Sequence, residues 1–141
     1  MNQAELLKEV AQAEMMKLLG IEIQEASGDQ VVLTMPVTPS VHQYTGIMNG
    51  GISLLLAETA ASIGAVLKTD LTKQTPVGIE INANHLRSVS KGTVTVTAKP
   101  VYHGRTVSVW QVEIRDRREK LICISRCTLS LKKGAAFPQN A

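Results

Sequence analysis

Alternation of apolar and polar residues predicts six strands, two before and four after a long apolar segment. A turn at Gly28 and Asp29 joins the first two strands, and turns at residues 104–105 and 116–119 make antiparallel hairpins of the later ones. The regular alternation indicates a sheet with one face on a core. The predicted strands are residues 21–24, 31–35, 77–86, 93–98, 106–115 and 121–131.

The apolar segment between the two groups of strands, residues 52–67, is helical by its length. It follows Asn49, Gly50 and Gly51, and it is apolar nearly all round, as a helix buried on most sides must be. Its roughly 18 residues would just cross a bilayer. Four polar residues interrupt it and amphipathic strands flank it, so we expect a core helix and no membrane span. Those four residues are Ser53, Glu58, Thr59 and Ser62.

The first 20 residues predict one amphipathic helix that ends at Gly20. Its charged residues are mixed into the apolar positions, which is not the pattern of a signal peptide. Residues 134–141 offer little to bury, so we expect a disordered tail after a single domain at 1–133. The stripe of this helix is predicted to contain Leu6, Val10, Ala13 and Leu18.

The element order predicts an α+β domain in which an antiparallel sheet wraps the long helix. A chain of 141 residues suits one domain. Its core must be mostly aliphatic, because aromatic residues make up only 3% of the chain. The 15 basic and 12 acidic residues are interspersed, and a net charge of +3 does not favour a nucleic-acid partner.

Cys123 and Cys127 lie four residues apart in a predicted strand, which separates their backbones by about 13 Å, too far for a disulfide. The cysteines and histidines do not cluster with the spacing of a metal site. We therefore expect two packed thiols, no metal and a reducing, cytoplasmic location.

Glu58 stands out because between His42 and Lys68 no other carboxylate or basic residue occurs. Burying a carboxylate within an apolar helix is costly, since desolvation disfavours its charged form. Pairing with a basic residue or exposure to a wet groove would be a structural explanation. The functional explanation is catalysis, with Ser62 one turn further along the same helix face.

Gly50 and Gly51 offer backbone amides at a helix N-terminus, where they could stabilise a developing oxyanion. Eight residues separate Gly50 from Glu58, a distance of about 12 Å along a helix. One carbonyl group cannot easily meet both in one chain. Two such helices, antiparallel across a two-fold axis, would bring them together, which predicts a shared site.

The stretch HQYTGIMNGGISLLLAETAAS, residues 42–62, resembles the signature of hotdog-fold thioesterases. The relevant group contains 4-hydroxybenzoyl-CoA, 1,4-dihydroxy-2-naphthoyl-CoA and enterobactin-pathway proofreading thioesterases. The segments VGIEINANHLRSV, GRTVSVWQVEIRD and CISRCTLSL are similar to the later strands of that group. The resemblance implies the hotdog fold, dimers or dimer-of-dimers tetramers with shared sites, and hydrolysis of small or aromatic acyl-CoA thioesters without a cofactor, coenzyme A being part of the substrate.

By this resemblance Glu58 matches the catalytic acid, Gln43 the amide side chain near the thioester, Gly50 the carbonyl-polarising amide and Ser62 the assisting hydroxyl. Asn49 departs from the pattern, because relatives commonly have a histidine there. An asparagine forms hydrogen bonds but has no titratable proton to give.

Four further residues are candidates for substrate binding. His42 and Gly51 flank the residues above, while His85 and Arg87 lie where the third strand of the family passes the acyl pocket and the nucleotide channel. Exposure at a strand edge is the alternative for the last two. Two rival functions remain: a non-catalytic acyl-CoA binding or sensing module, and a hydratase, which would need another histidine and acid arrangement.

Overall fold

The computed structural model describes residues 1–136, which form one antiparallel sheet and three α-helices. A short 3-10 helix, Pro39–Val41, precedes the long helix. The helices are α1 Gln3–Ala11, α2 Glu14–Leu19 and α3 Gly50–Leu67, and the strands are β1 Glu22–Ala26, β2 Val31–Pro36, β3 Gln74–His85, β4 Thr93–His103, β5 Val107–Arg115 and β6 Leu121–Lys133.

The sheet order is β1-β2-β4-β5-β6-β3, and every neighbouring pair is antiparallel. The strand β3 therefore crosses over to pair with β6, and the twelve residues of β3 lie at one edge of the sheet. The helix α3 packs against strands β2 to β6. The predicted α+β fold, a sheet around a long central helix, is confirmed.

The core lies between α3 and the concave face of the sheet. Alternate residues of β5 are fully buried, among them Trp110, whose ring lies where a Cβ at Gly64 of α3 would be. Cys123 and Cys127 are buried free thiols, as predicted. The helix α3 has the length and hydropathy of a membrane span, and half of it is buried inside the protein.

The N-terminal segment corrects one prediction, because it forms two helices instead of one. The chain leaves the helical path at Ala13, with φ −58° and ψ 140°, and α2 ends at Gly20 in the left-handed conformation, with φ 71°. This break turns Met16 into the core, where it is 2% exposed, and leaves Leu18 82% exposed. Burial of Met16 outweighs the continuation of one stripe.

The strand β4 extends five residues beyond its predicted end because its pairing with β5 continues to His103, although its pairing with β2 stops at Ala98. Pro100 consequently lies where β4 pairs with β5 alone, next to a bulge, a position that tolerates proline. After β6, the amide of Gly134 donates to the Lys73 carbonyl and that of Ala136 donates to the Leu71 carbonyl. Residues 137–141 of the expected tail lie outside the described residues.

Candidate active site

Glu58 and Ser62 line a large apolar cavity, which we call the acid cavity. They lie one turn apart on the same face of α3, as the sequence predicts. The cavity has a volume of about 810 Å³, and residues of α1 and α2 also line it. Its remaining lining residues are Leu6, Leu7, Val10, Met15, Leu55, Thr59, Ile63, Val66, Leu67, Leu71, Thr75, Pro76 and Ala136.

The Glu58 carboxylate lies directly against the backbone of β3. A Cβ at Gly78 would overlap its Oε2 atom, so the glycine makes the close approach possible. Glu58 is half-buried, and none of the ion pairs within residues 1–136 includes it. The structural explanation of Glu58 as one half of a salt bridge is therefore wrong for this part of the chain.

The charge of Glu58 also affects the pKa of a thiol in the core. Burial raises the pKa of the Cys127 thiol to about 12, and the negative charges of Glu58 and Glu80 contribute to the rise. Cys127 therefore stays a protonated thiol at neutral pH and is not a competing nucleophile.

A second cavity, which we call the amide cavity, lies at the N-terminus of α3. Its volume is about 360 Å³, and it is lined by four of the predicted site residues. These are Gln43, Gly50, His85 and Arg87, and the others are Ile47, Met48, Ser53, Leu86, Ser88, Val89 and Ile122.

Gly50 is the first residue of α3, and its N–H has no acceptor among residues 1–136. Asn49 is the N-cap of the helix, and its Oδ1 accepts a hydrogen bond from the N–H of Gly51 at 2.7 Å, not from that of Gly50. The His85 ring faces Gly50, since a Cβ there would lie 3.0 Å from the His85 Nε2. A free amide at a helix N-terminus, beside a cavity, is suited to bind a carbonyl or an anionic oxygen.

The other predicted binding residues are held by protein contacts. The Nε2 of His42 lies 2.8 Å from the Ser90 carbonyl oxygen, and the Gln43 Nε2 donates to Thr45 Oγ1 at 2.7 Å. The guanidinium of Arg87 lies 3.8 Å from Asp116. Gly51 and His42 line neither cavity.

The two cavities have no lining residue in common. Within one chain, α3 holds Gly50 at its first residue and Glu58 more than two turns further on, so no single cavity contains both. The separation is the one that the helix spacing predicts. Each cavity by itself has one half of the groups that the cleavage of a thioester needs, an acid or an oxyanion donor.

Ser53 and the N-terminal helices are functional candidates that the sequence prediction missed. Ser53 is 3% exposed and lines the amide cavity. It lies three residues after Gly50, a helical spacing that could have identified it. The contribution of Leu6, Leu7 and Val10 to the acid cavity had no local signal, because it depends on how α1 is placed against α3.

Nothing in residues 1–136 resembles a metal centre, since no three of their His, Cys, Asp or Glu side chains come together. Neither of the two buried cysteines lines either cavity.

Comparison with known proteins points to one family. The family model of the thioesterase superfamily matches residues 45–123. The chain is 47% identical over 115 residues to the 1,4-dihydroxy-2-naphthoyl-CoA hydrolase of Listeria monocytogenes, which covers 82% of this chain and 93% of the relative. A crystal structure of a thioesterase from Haemophilus influenzae is 40% identical, with a TM-score of 0.85 and coverage of 97% of this chain and 94% of that chain. A mutant thioesterase from Pseudomonas aeruginosa is 33% identical, with a TM-score of 0.86 and coverage of 92% and 93%.

Proposed function

The chain belongs to the thioesterase superfamily and is an acyl-CoA thioester hydrolase, and on that premise we propose that Glu58 of one copy and the Gly50 amide of a second copy form its reaction centre. The observation behind this proposal is the division of the site. One cavity contains the carboxylate and the other contains the free amide, and one chain does not join them.

In the proposed reaction the thioester carbonyl oxygen accepts a hydrogen bond from the Gly50 N–H. Glu58 then either attacks the carbonyl carbon, forming an anhydride that water hydrolyses, or takes a proton from a water molecule that attacks instead. In both routes the C–S bond breaks, coenzyme A leaves as the thiol after protonation, and the acyl group becomes a free acid. The N-terminal dipole of α3 stabilises the negative charge on the oxygen.

The exposed edge of β3 supports a two-copy site. This strand is twelve residues long, and its Val77 and Ile79 are 40% and 60% exposed. A long, apolar, unpaired edge of a sheet is a template for pairing with another chain. The Glu58 carboxylate lies against Gly78 of the same strand. Pairing of two β3 edges across a two-fold axis would join two sheets and place each Glu58 next to the second copy.

We further propose the assembly and setting that the family resemblance implies. Two copies form a homodimer with two shared sites, and dimers assemble into a tetramer. The protein acts in the cytoplasm on acyl-CoA, without a cofactor and without nucleic acid or membrane as a partner. Within the site, Ser62 assists Glu58, while Gln43, His85 and Arg87 contact the thioester or its coenzyme A part from the amide cavity.

A small or aromatic acyl group is the proposed substrate class. Two similar proteins, from Listeria monocytogenes and Escherichia coli, are named 1,4-dihydroxy-2-naphthoyl-CoA hydrolase. The apolar acid cavity beside Glu58 is consistent with an aromatic ring.

The second candidate function is a non-catalytic acyl-CoA binding module. It is favoured by Asn49, whose Oδ1 is engaged as the helix cap and which cannot supply a proton to the leaving thiolate. Against it, Glu58 and Ser62, the acid and the hydroxyl of the proposed reaction, line the same cavity.

The test is free-thiol release from a panel of acyl-CoA thioesters. We expect hydrolysis by the wild type and a loss of about 100- to 10,000-fold in kcat for Glu58→Gln, because a positioned acid or base contributes that much. Glu22→Gln on β1, an exposed residue at the opposite edge of the sheet, is the matched control and should retain activity. Full activity of Glu58→Gln would refute the assignment, and a panel on which the wild type is uniformly inactive would favour the binding module.

A further inference from the structure

The helix α1 has an apolar side that no part of residues 1–136 covers completely. None of its residues is buried, and Leu6, Leu7 and Val10 are each half-buried with their side chains on the acid cavity. Met15 of α2, 41% exposed, continues the same wall. Such a stripe normally packs against a core. Here Leu7 and Val10 pack partly against the core, and the stripe also lines the cavity that contains Glu58.

This wall is fixed to the helix that contains Glu58. The Gln3 side chain donates from Nε2 to the Leu67 carbonyl at the end of α3, at 3.0 Å. The start of α1 is closed by a capping box in which Asn2 and Glu5 bond reciprocally. The hydrogen bond from Gln3 joins the first turn of α1 to the last turn of α3, which helps to keep the apolar stripe in the lining of the acid cavity.

The lining of the acid cavity also has a clear charge character. Among the described residues that line it, no side chain is cationic, and Glu58 is the single ionisable group. A negatively charged substituent placed there would lose its hydration without gaining a partner, and it would meet the carboxylate of Glu58. An apolar substituent would meet leucine, valine and methionine side chains.

We propose that Leu6, Leu7, Val10 and Met15 form the specificity-determining wall of the acyl subsite, which selects an uncharged apolar acyl group and rejects one that ends in a carboxylate. This inference rests on the proposed function, because it places the acyl group beside Glu58. The cavity of about 810 Å³ has room for a bicyclic aromatic or medium-chain acyl group. The N-terminal helices thus set which thioester is cleaved, and they take no part in the bond breaking.

The experiment compares kcat/KM for matched thioesters that differ in one terminal carboxylate, hexanoyl-CoA against adipoyl-CoA and benzoyl-CoA against 4-carboxybenzoyl-CoA. In the pair that the wild type hydrolyses faster, kcat/KM should be about 100-fold or more higher for the uncharged thioester. The reason is that an apolar pocket strongly rejects an unpaired charge. Val10→Lys should narrow this ratio by about 10-fold, because the ammonium group gives the carboxylate a partner. Leu18→Lys is the matched control, since Leu18 is 82% exposed and outside the cavity lining.

A size series tests the same wall without a charge. Val10→Trp should lower kcat/KM for hexanoyl-CoA by about 10-fold relative to acetyl-CoA, and Val10→Ala should shift the ratio in the opposite direction. Leu18→Trp should leave it unchanged, and circular dichroism checks that each variant is folded.

The outcomes separate the two proposals. If the wild type hydrolyses no thioester, the proposed function fails and this inference fails with it. The inference alone is overturned if the wild type is active but cleaves the charged thioesters as fast as the uncharged ones. It is also overturned if the Val10 variants change kcat/KM by the same factor for every substrate.

Discussion

The acid cavity and the amide cavity differ in nearly every property that matters for catalysis. The acid cavity is large and apolar and lies between the N-terminal helices and the C-terminal half of α3. The amide cavity is less than half as large and has Gln43, His85 and Arg87 near the first turn of the same helix. In the proposed function, the acid cavity supplies an acid and space for an acyl group, and the amide cavity supplies an oxyanion donor and polar groups for the rest of the thioester. A single folded chain can therefore contain both groups of the proposed reaction centre and still keep them in separate cavities.

The largest effect within this comparison should come from deleting the donor of the amide cavity. Gly50→Pro removes the N–H at the first helical position, where proline is tolerated, and Asn49 already has the extended conformation that must precede it. We expect kcat to fall by about 100- to 1000-fold in thiol-release assays.

Gly50→Ala is the control for this change, because it introduces a Cβ beside His85 but keeps the N–H. If the alanine variant were as inactive as the proline variant, crowding would explain the loss and the amide would not be the donor.

A smaller effect should follow from moving the acid. In Gly78→Ala the new methyl group overlaps the Glu58 Oε2, and the flexible carboxylate has to give way. We expect kcat to fall by about 10- to 100-fold, as for other small misplacements of reacting groups. The free energy of unfolding should stay the same or rise, because glycine weakens a strand.

Gly28→Ala is the matched control for Gly78→Ala, since its Cβ would meet the flexible Lys68 side chain away from both cavities. Wild-type kcat for Gly78→Ala would argue against the position of Glu58 as the rate-determining feature.

The sequence predicted α3 well because its signals are local. Asn49 is an N-cap residue, and the eighteen residues that follow it are all apolar or small except Glu58. Glu58 could be identified for the same reason, as the one acid in that run. The α1–α2 break could not, because it is decided by the burial of Met16 in a core made by distant strands. The pairing of β3 with β6 and the lining of the acid cavity by α1 and α2 likewise depend on long-range packing.

Removal of a buried hydrogen bond in the core should lower stability without lowering kcat. Ser108 is fully buried and accepts a hydrogen bond from the Trp110 indole N–H at 2.8 Å. Ser108→Ala leaves that N–H without an acceptor, so we expect a loss of about 1–3 kcal/mol in the free energy of unfolding. Urea denaturation measures it. The kcat of the folded variant should remain that of the wild type, because Ser108 lines neither cavity, and a large fall in kcat would contradict this division.

The smallest effect concerns pH and the same core network. His103, whose Nδ1 lies 2.7 Å from the Ser108 Oγ, has its pKa lowered by burial and, to a lesser degree, by the charge of Lys68. Below the unfolded-state pKa of about 6.5, His103 binds a proton in the unfolded chain but not yet in the folded chain. The contribution of neutral His103 to the free energy of unfolding is therefore complete above about pH 6.5 and is lost as the pH falls toward the folded-state pKa. Denaturation at pH 7.5 and 5.5 should show a decline that His103→Gln reduces, and an equal decline in both proteins would contradict the assignment.

The shared site itself is tested most directly by mixing two inactive chains. Glu58→Gln and Gly50→Pro, co-expressed and assembled at random, should give about a quarter of wild-type kcat, since half the dimers are mixed and each mixed dimer has one intact site in two. The chain with both changes, co-expressed with the wild type, should lower activity to about a quarter instead of half, because its mixed dimers contain no intact site. If the two single variants together are no more active than either alone, Glu58 and Gly50 act within one chain and the account is contradicted.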